Sequence, residues 1–353
     1  MSNLSLIESN MSYNVNIDTI SEIQWAQDAQ AFADYSIYQT CAYQKARGQI
    51  NGQQIHRLIV KNDNGETLTM CQLRIQHIRA IGLRIGYVQW GPLFRKRVGA
   101  SYCPVDVLNK LCDVCFGLDI DVLRLVPNIV DDAGNQGIKD ALKESGFRKL
   151  QEVPAYHTTM LSLSQPDAVL RKGLHQSWRR MLYKAEVAGV DIKEQTSQSL
   201  FQTLQCFHVS LVQKKDFKGV DPNVFSRTQA DLPESEKMCL TVGYRDDEPV
   251  TVHVTSNLGD TSVFLLSASS RIGYECRASY LAWWRAITSS NSKGMRRYDT
   301  GGIDFVKGPN IARFKTGIGG EEKFHIGTFE AYANRRASFI WSVSKSFYAL
   351  VRK

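Results

Sequence analysis

The chain has 353 residues, of which 43% are apolar, 10% aromatic and 22% charged, with a net charge of +8. That composition excludes global disorder, no run approaches the roughly 18–20 apolar residues of a membrane-spanning helix, and the length predicts two domains of ordinary size. The charge is unevenly placed: residues 1–163 carry 16 basic and 16 acidic groups, residues 164–353 carry 27 and 19. A neutral half beside a basic half points to a polyanion or an anionic surface meeting the second half; the plainer reading is a basic surface that aids solubility. Residues 1–12 hold no Lys or Arg and no apolar core, so no secretory leader is expected there. The eight cysteines are scattered, which fits a reducing compartment, and a cytoplasmic protein is expected. Cys112 and Cys115 form a lone CxxC in an apolar helical stretch. One pair cannot fill a tetrahedral zinc site, so two core-facing thiols are expected.

In chain order, a helical pattern through Trp25, Ala31, Phe32 and Tyr35 comes first. Strand-like runs follow over 56–61, 67–78 and 83–90, divided by turns at 62–65 and Gly82. A helix over 105–118, a buried strand over 122–126, a short helix over 138–144 ending at Gly146 and a strand over 156–163 complete the half. The second half repeats this grammar. A helix over 167–188 carries Leu170, Leu174, Trp178, Met181, Leu182 and Ala185 on one face and stops at Gly189. Helices over 200–215 and 223–231 precede strands over 238–244, 250–254 and 263–266. A helix (276–288), a strand (297–299), a glycine-punctuated segment and a strand near 324–332 follow. Three-strand meander, helix, strand, twice over, describes an α/β (α+β) chain of two mixed sheets flanked by helices, divided into 1–163 and 164–332. This order resembles tandem GNAT-type acyltransferase domains more than a doubly wound sheet. Residues 333–353 read as a C-terminal helix packing back on the first domain. Phe339, Ile340, Val343, Phe347, Leu350 and Val351 keep helical spacing there, and Arg335, Arg336, Lys345, Arg352 and Lys353 supply the charge an interfacial helix would need instead.

Three segments in the basic half carry the chemistry. The first, Trp178-Arg179-Arg180-Met181-Leu182-Tyr183-Lys184-Ala185-Glu186, lies on the amphipathic helix. Lys172 and Arg179 point away from its apolar stripe, and Arg180 and Lys184, four apart, form a basic ridge. The ridge is either a solvated face or a contact for nucleic-acid phosphates. The second, Arg297-Tyr298-Asp299-Thr300-Gly301-Gly302, ends a strand in paired glycines, which permit close backbone approach to a ligand and are as common in simple turns. The third, Ile311-Ala312-Arg313-Phe314-Lys315-Thr316-Gly317-Ile318-Gly319-Gly320, sets a lysine between an aromatic and a glycine-rich turn. Such a cation serves acyl transfer where a carbonyl oxygen becomes an oxyanion. His253, on the polar side of its strand, faces either the pocket or the surface, the surface being the plainer reading.

Together, in this order and spacing, the three segments resemble the FemABX family of peptidoglycan interpeptide-bridge aminoacyltransferases. Weaker echoes lie in the first half, in Tyr38-Gln39-Thr40 with Lys45 and in Tyr87-Val88-Gln89-Trp90-Gly91-Pro92. The resemblance implies two fused GNAT-like domains, an aminoacyl-tRNA donor and an amine acceptor on a nucleotide- or lipid-linked cell-envelope precursor. It assigns Lys315 as the catalytic cation on the ester carbonyl and Phe314 as a wall of that pocket. Lys45 contacts precursor phosphates. Tyr38, Asp299, Gly301 and Gly302 join the substrate site, and Lys172, Arg179, Arg180 and Lys184 meet the tRNA. No metal or organic cofactor is implied. A monomer is expected, with peripheral contact at the cytoplasmic membrane face. One departure concerns the acceptor: the family's arginine position falls on Val220 in Asp216-Phe217-Lys218-Gly219-Val220, and only Phe225 keeps an aromatic. Two rivals remain. One is an acyl-CoA-dependent N-acyltransferase of surface polysaccharide or lipid, although Tyr274 and Cys276 fill the small-residue positions of a pyrophosphate loop in Arg271-Ile272-Gly273-Tyr274-Glu275-Cys276. The other is a non-catalytic RNA- or membrane-surface-binding module.

Overall fold

The structure, a computed structural model, describes residues 13–98, 102–212 and 221–351. Residues 1–12, the stretch Asp216 to Val220, and Arg352 and Lys353 lie outside the described residues, as do the side chains of Phe347, Leu350 and Val351.

The first half runs β1 (Tyr13–Ile17), α1 (Glu22–Ala29), α2 (Cys41–Asn51), β2 (Gln54–Asn62), β3 (Thr67–Ile78), β4 (Leu83–Gln89), α3 (Pro104–Gly117), β5 (Val122–Val126), α4 (Gln136–Glu144), β6 (Arg148–Lys149) and β7 (His157–Ser162). The second runs α5 (Asp167–Gly173), α6 (Gln176–Glu186), β8 (Asp191–Gln195), α7 (Leu200–Val212), α8 (Pro222–Asp231), β9 (Cys239–Arg245), β10 (Glu248–Leu258), β11 (Thr261–Ser269), α9 (Arg271–Glu275), α10 (Ala278–Ser292), β12 (Arg297–Gly302), α11 (Pro309–Thr316), β13 (Glu321–Phe324), β14 (Phe329–Tyr332) and α12 (Arg335–Val351). Alternating apolar residues set the strands of each meander. In β3, Leu73 and Ile75 turn toward Val107, Leu108 and Leu111 of α3, and Gln72 and Arg74 turn to the other face.

Two seven-stranded sheets result, and they match position by position. The first is ordered β1-β2-β3-β4-β5-β14-β6 and the second, read from the corresponding edge, β8-β9-β10-β11-β12-β7-β13. In each, an antiparallel meander leads to a parallel pair, β4 with β5 and β11 with β12. The two halves exchange their last strands: β7 pairs with β12 and β13, and β14 pairs with β5 and β6. A division at 163/164 therefore follows the chain but not the sheets. Short strands advertise their presence in sequence and not their neighbours, because a run of four to six residues carries no register information about a distant partner.

Two further expectations change. The helix expected over 167–188 is two helices, because Leu174 and His175 are extended, with ψ of 143° and 149°. The glycine-punctuated segment contains a helix, α11, so Lys315 sits in a last helical turn. The thiols of Cys112 and Cys115 are buried within the first core. On α12, Ala337, Ile340 and Trp341 pack over Leu83, Ile85 and Val122 of the first sheet. Among the described residues no helix is long and apolar enough to cross a membrane.

Candidate functional site

The two sheets differ where their parallel strands meet. In the first, β4 and β5 stay paired through Gln89 and Val126. In the second, β11 and β12 pair only through Val263 and Asp299, while β11 runs on to Ser269. Beyond that point the strands part, and the side chain of Lys315 enters from α11. Its Nζ donates to the carbonyl of Gly302 at 2.8 Å and lies 4.9 Å from the centre of the Phe264 ring. Gly301, at φ +76°, leaves the room: a Cβ there would stand 2.8 Å from the Phe264 ring and 3.2 Å from the lysine Nζ.

Lys315 is 6% exposed, and burial pulls its pKa down to about 8, with Asp299 opposing the shift. Asp299 is buried and accepts from the Tyr156 hydroxyl at 3.1 Å, the Gly301 amide at 2.8 Å and the Thr158 hydroxyl. Burial raises its pKa, against those three donors and the Lys315 charge. Tyr156 immediately precedes the exchanged strand β7 and Thr158 lies on it, so the exchange delivers two of the three donors to Asp299. Their sequence contained no signal for this role. His253 is also buried rather than at the surface. Its Nε2 is 2.7 Å from the Tyr298 hydroxyl, and burial and the Lys315 charge press its pKa down to about 3, which keeps it neutral. With Phe264 and Trp283 it forms an aromatic floor below the lysine.

The three sequence motifs form one mechanical unit. Trp178 of α6 donates its indole N–H to the Phe314 carbonyl at 3.0 Å, and the His175 amide donates to the Gly317 carbonyl at 2.9 Å. A Cβ at Gly317 would meet the Trp178 ring at 2.8 Å, one at Gly319 the Gly173 carbonyl oxygen at 2.1 Å, and one at Gly320 the Met160 carbonyl oxygen at 2.7 Å. The glycines are thus needed to seat α11 against α5, α6 and β7. Phe314 packs its ring on Trp178, Tyr280 and Trp283, within the core beneath the site.

Tyr38 belongs to an aromatic wall contributed by both halves. Its ring is 4.6 Å from Trp90, which is 5.3 Å from Tyr156 and 5.6 Å from His325. Gln39 fixes this corner, accepting from the Gln72 amide at 2.8 Å and donating to the Gln89 carbonyl at 2.6 Å. Lys45 is occupied differently: its ammonium pairs with Glu22 at 2.9 Å. Of the basic set, Arg179 donates to the carbonyls of Lys172 and Leu174, closing the end of α5. Arg180 and Lys184 line an open groove on α6 with Gln176, Arg179 and Tyr183, and Lys172, on the other side of the helix break, is exposed on α5.

No protein-family model matches the sequence, and no curated protein matches it significantly. Solved structures do match its fold. The crystal structure of FemX superposes with a TM-score of 0.78 at 14% identity, over 90% of this chain and 97% of that one. The C-terminal domain of a protein described as a lysylphosphatidylglycerol synthetase from Agrobacterium fabrum gives 0.54 at 9% identity, over 93% and 96%. A tandem GNAT protein from the clavulanic acid biosynthesis pathway gives 0.51 at 12% identity, over 92% and 99%. The chain has the FemX-type tandem GNAT-like fold, two mixed α/β units in one polypeptide.

Proposed function

We propose that the chain is an aminoacyltransferase that moves an amino acid from aminoacyl-tRNA to an amine of a cell-envelope precursor. The observation that carries this reading is Lys315, a buried cation fixed by Gly302 where β11 and β12 part. In the reaction the acceptor nitrogen attacks the ester carbonyl. A C–N bond forms, the C–O bond to the ribose breaks, and the proton lost by nitrogen ends on the ribose oxygen. Negative charge develops on the carbonyl oxygen, and an ammonium already stripped of water stabilises it without reorganising. Gly301 lets the reacting carbonyl approach. The aromatic wall of Tyr38, Trp90 and Tyr156 forms the acceptor side, and the α6 ridge of Arg180 and Lys184, with Lys172 beside it, receives tRNA phosphates. Likeness to FemX and to the lysylphosphatidylglycerol synthetase domain supports an aminoacyl group and an envelope acceptor. Peripheral membrane contact, in a cytoplasmic monomer, suits the outer face of α12, where Phe339 and Val343 are exposed beside Arg335 and Arg336.

The acyl-CoA alternative requires free backbone amides after β11 for the pyrophosphate. There the Gly273 amide bonds the Ser270 hydroxyl, the Tyr274 amide the Ser270 carbonyl and the Cys276 amide the Ile272 carbonyl. The test offers purified protein radiolabelled aminoacyl-tRNA or acetyl-CoA with candidate amine acceptors. Label is expected to move from aminoacyl-tRNA. Transfer from acetyl-CoA alone overturns the proposal, and binding of tRNA without any transfer favours the non-catalytic reading.

A further inference from the structure

Arginines gather where the two halves meet, at the end of the second sheet away from Lys315. The hairpin between β10 and β11 seats its tip, Gly259 and Asp260, against the first half. The Asp260 amide donates to the Ala33 carbonyl at 2.9 Å, and a Cβ on Gly259 would stand 2.5 Å from that carbonyl oxygen. Two other segments close on this tip. Arg95, whose carbonyl accepts from the Ala33 amide, pairs with the Asp260 carboxylate at 3.3 Å, and Arg297 pairs with its other oxygen. Arg97 donates to the Gly259 carbonyl at 2.5 Å. The amides of Arg296 and Arg297 both donate to the Asp260 carbonyl, at 2.9 and 3.3 Å, which sets Arg296 beside the same tip. Arg97 and Arg296 are exposed, and the Arg296 guanidinium makes no hydrogen bond or ion pair among the described residues.

Two carboxylates face this group, and both are engaged. Asp260 holds Arg95 and Arg297; Asp34, buried, accepts the backbone amides of Phe94 and Arg95. Lys96 is matched by Glu66. Four arginines against two carboxylates leave an excess of positive charge, and its accessible part is Arg97 and Arg296. Arg95 and Arg297 on one carboxylate suffice to bolt the hairpin in place. Arg97 and Arg296 add like charge beside that bolt, and an anionic partner offsets the repulsion. Guanidinium groups held in place with N–H donors left over match phosphate oxygens two at a time. A lipid surface would call for apolar side chains that enter it, and Val98 is the only large exposed apolar residue in these segments among the described residues. We propose that Arg97 and Arg296, framed by Arg95 and Arg297, dock the phosphate backbone of an RNA helix, on residues distinct from those of the α6 ridge. The patch lies where β12 begins, and Gly302 ends that strand roughly 17 Å away at about 3.3 Å per residue, so RNA held here leaves the Lys315 site open. That the RNA is aminoacyl-tRNA rests on the transferase reading; the docking surface itself does not.

Filter binding of a short RNA duplex to the full chain, over a range of salt concentrations, tests this. Arg97→Gln combined with Arg296→Gln is expected to bind about tenfold more weakly at low salt, with a log–log salt slope shallower by about 2, because two phosphate contacts are lost. Arg79→Gln, exposed elsewhere on the first half, is expected to bind as the wild type does. Arg296→Gln alone removes no contact of the fold, so it carries the test if Arg97→Gln disturbs the hairpin tip, with a slope change of about 1. The same pair made together with Arg180→Ala and Lys184→Ala is expected to lose slope beyond that four-residue ridge's own share. Unchanged RNA affinity and slope overturn the proposal, as does a loss confined to binding of anionic phospholipid vesicles. RNA bound through these arginines by a protein that transfers no amino acid would sink the transferase reading and leave the surface standing.

Discussion

Replacing Lys315 with methionine separates catalysis from stability. Burial brings the ammonium from its ordinary pKa of 10.5 to about 8. At about 1.4 kcal/mol per pH unit, holding the charge in the folded protein costs about 3 kcal/mol at neutral pH. Below pH 8 both folded and unfolded chains carry the proton and this penalty is complete. Between about pH 8 and 10.5 the unfolded chain still holds the proton while the folded one releases it, so stability rises with pH and the penalty fades. Lys315→Met removes the charge and keeps the length, but leaves the Gly302 carbonyl without its donor, a loss of about 1 kcal/mol. The variant is therefore expected to be about 1–2 kcal/mol more stable than the wild type at pH 7 and no more stable near pH 10.5, by denaturant unfolding. Single-turnover transfer from aminoacyl-tRNA should fall about 100–1000-fold, the usual effect of losing one oxyanion donor. Unchanged turnover would refute the catalytic role. A variant less stable by several kcal/mol at pH 7 would instead make the lysine a structural element.

Three further outcomes are expected. Because the cation is needed, the wild-type transfer rate should fall as pH rises through about 8, and Asp299→Asn, which removes the carboxylate supporting that charge, should move this limb to lower pH in a stopped-time pH–rate profile. Gly301→Ala places a Cβ against Phe264 at a left-handed φ, so it should lower the unfolding free energy by about 1 kcal/mol or more and depress transfer by displacing Lys315, read by denaturant titration and turnover. The pair Arg180→Ala and Lys184→Ala lies on an exposed helix face, so the thermal midpoint should stay put, while aminoacyl-tRNA affinity drops and its log–log salt slope shrinks by about 2, measured by filter binding.

Much of the fold was legible because its elements are long or strictly patterned. The strands at 67–78 and 122–126 fall where alternation and apolar runs place them. The repeat of meander, helix and strand announced two like sheets. What escaped is non-local. Nothing in 157–162 or 329–332 says which sheet will accept them, and α11, eight residues long and followed by glycines, reads locally as a turn. The site divides the same way. Lys315, Asp299 and Gly301 stand out by motif, and the structure places them together. Tyr156, Thr158 and His253 are ordinary residues in sequence and acquire meaning only from burial and from partners far along the chain. Lys45 shows the converse: a motif position whose charge a neighbouring glutamate already holds.

The strand exchange has a consequence for how the polypeptide is made. During vectorial synthesis the first sheet emerges with a vacant slot between β5 and β6, which only residues 329–332, made after every strand of the second sheet, can fill. Until then two unsatisfied strand edges stand open to mispairing and aggregation. The two cores also become tied to each other, since β14 of the first sheet follows directly on β13 of the second, and β7 of the second on β6 of the first. Unfolding should accordingly be a single event for a chain of two domains, and the aromatic wall built from both halves is held by crossed strands rather than by a hinge.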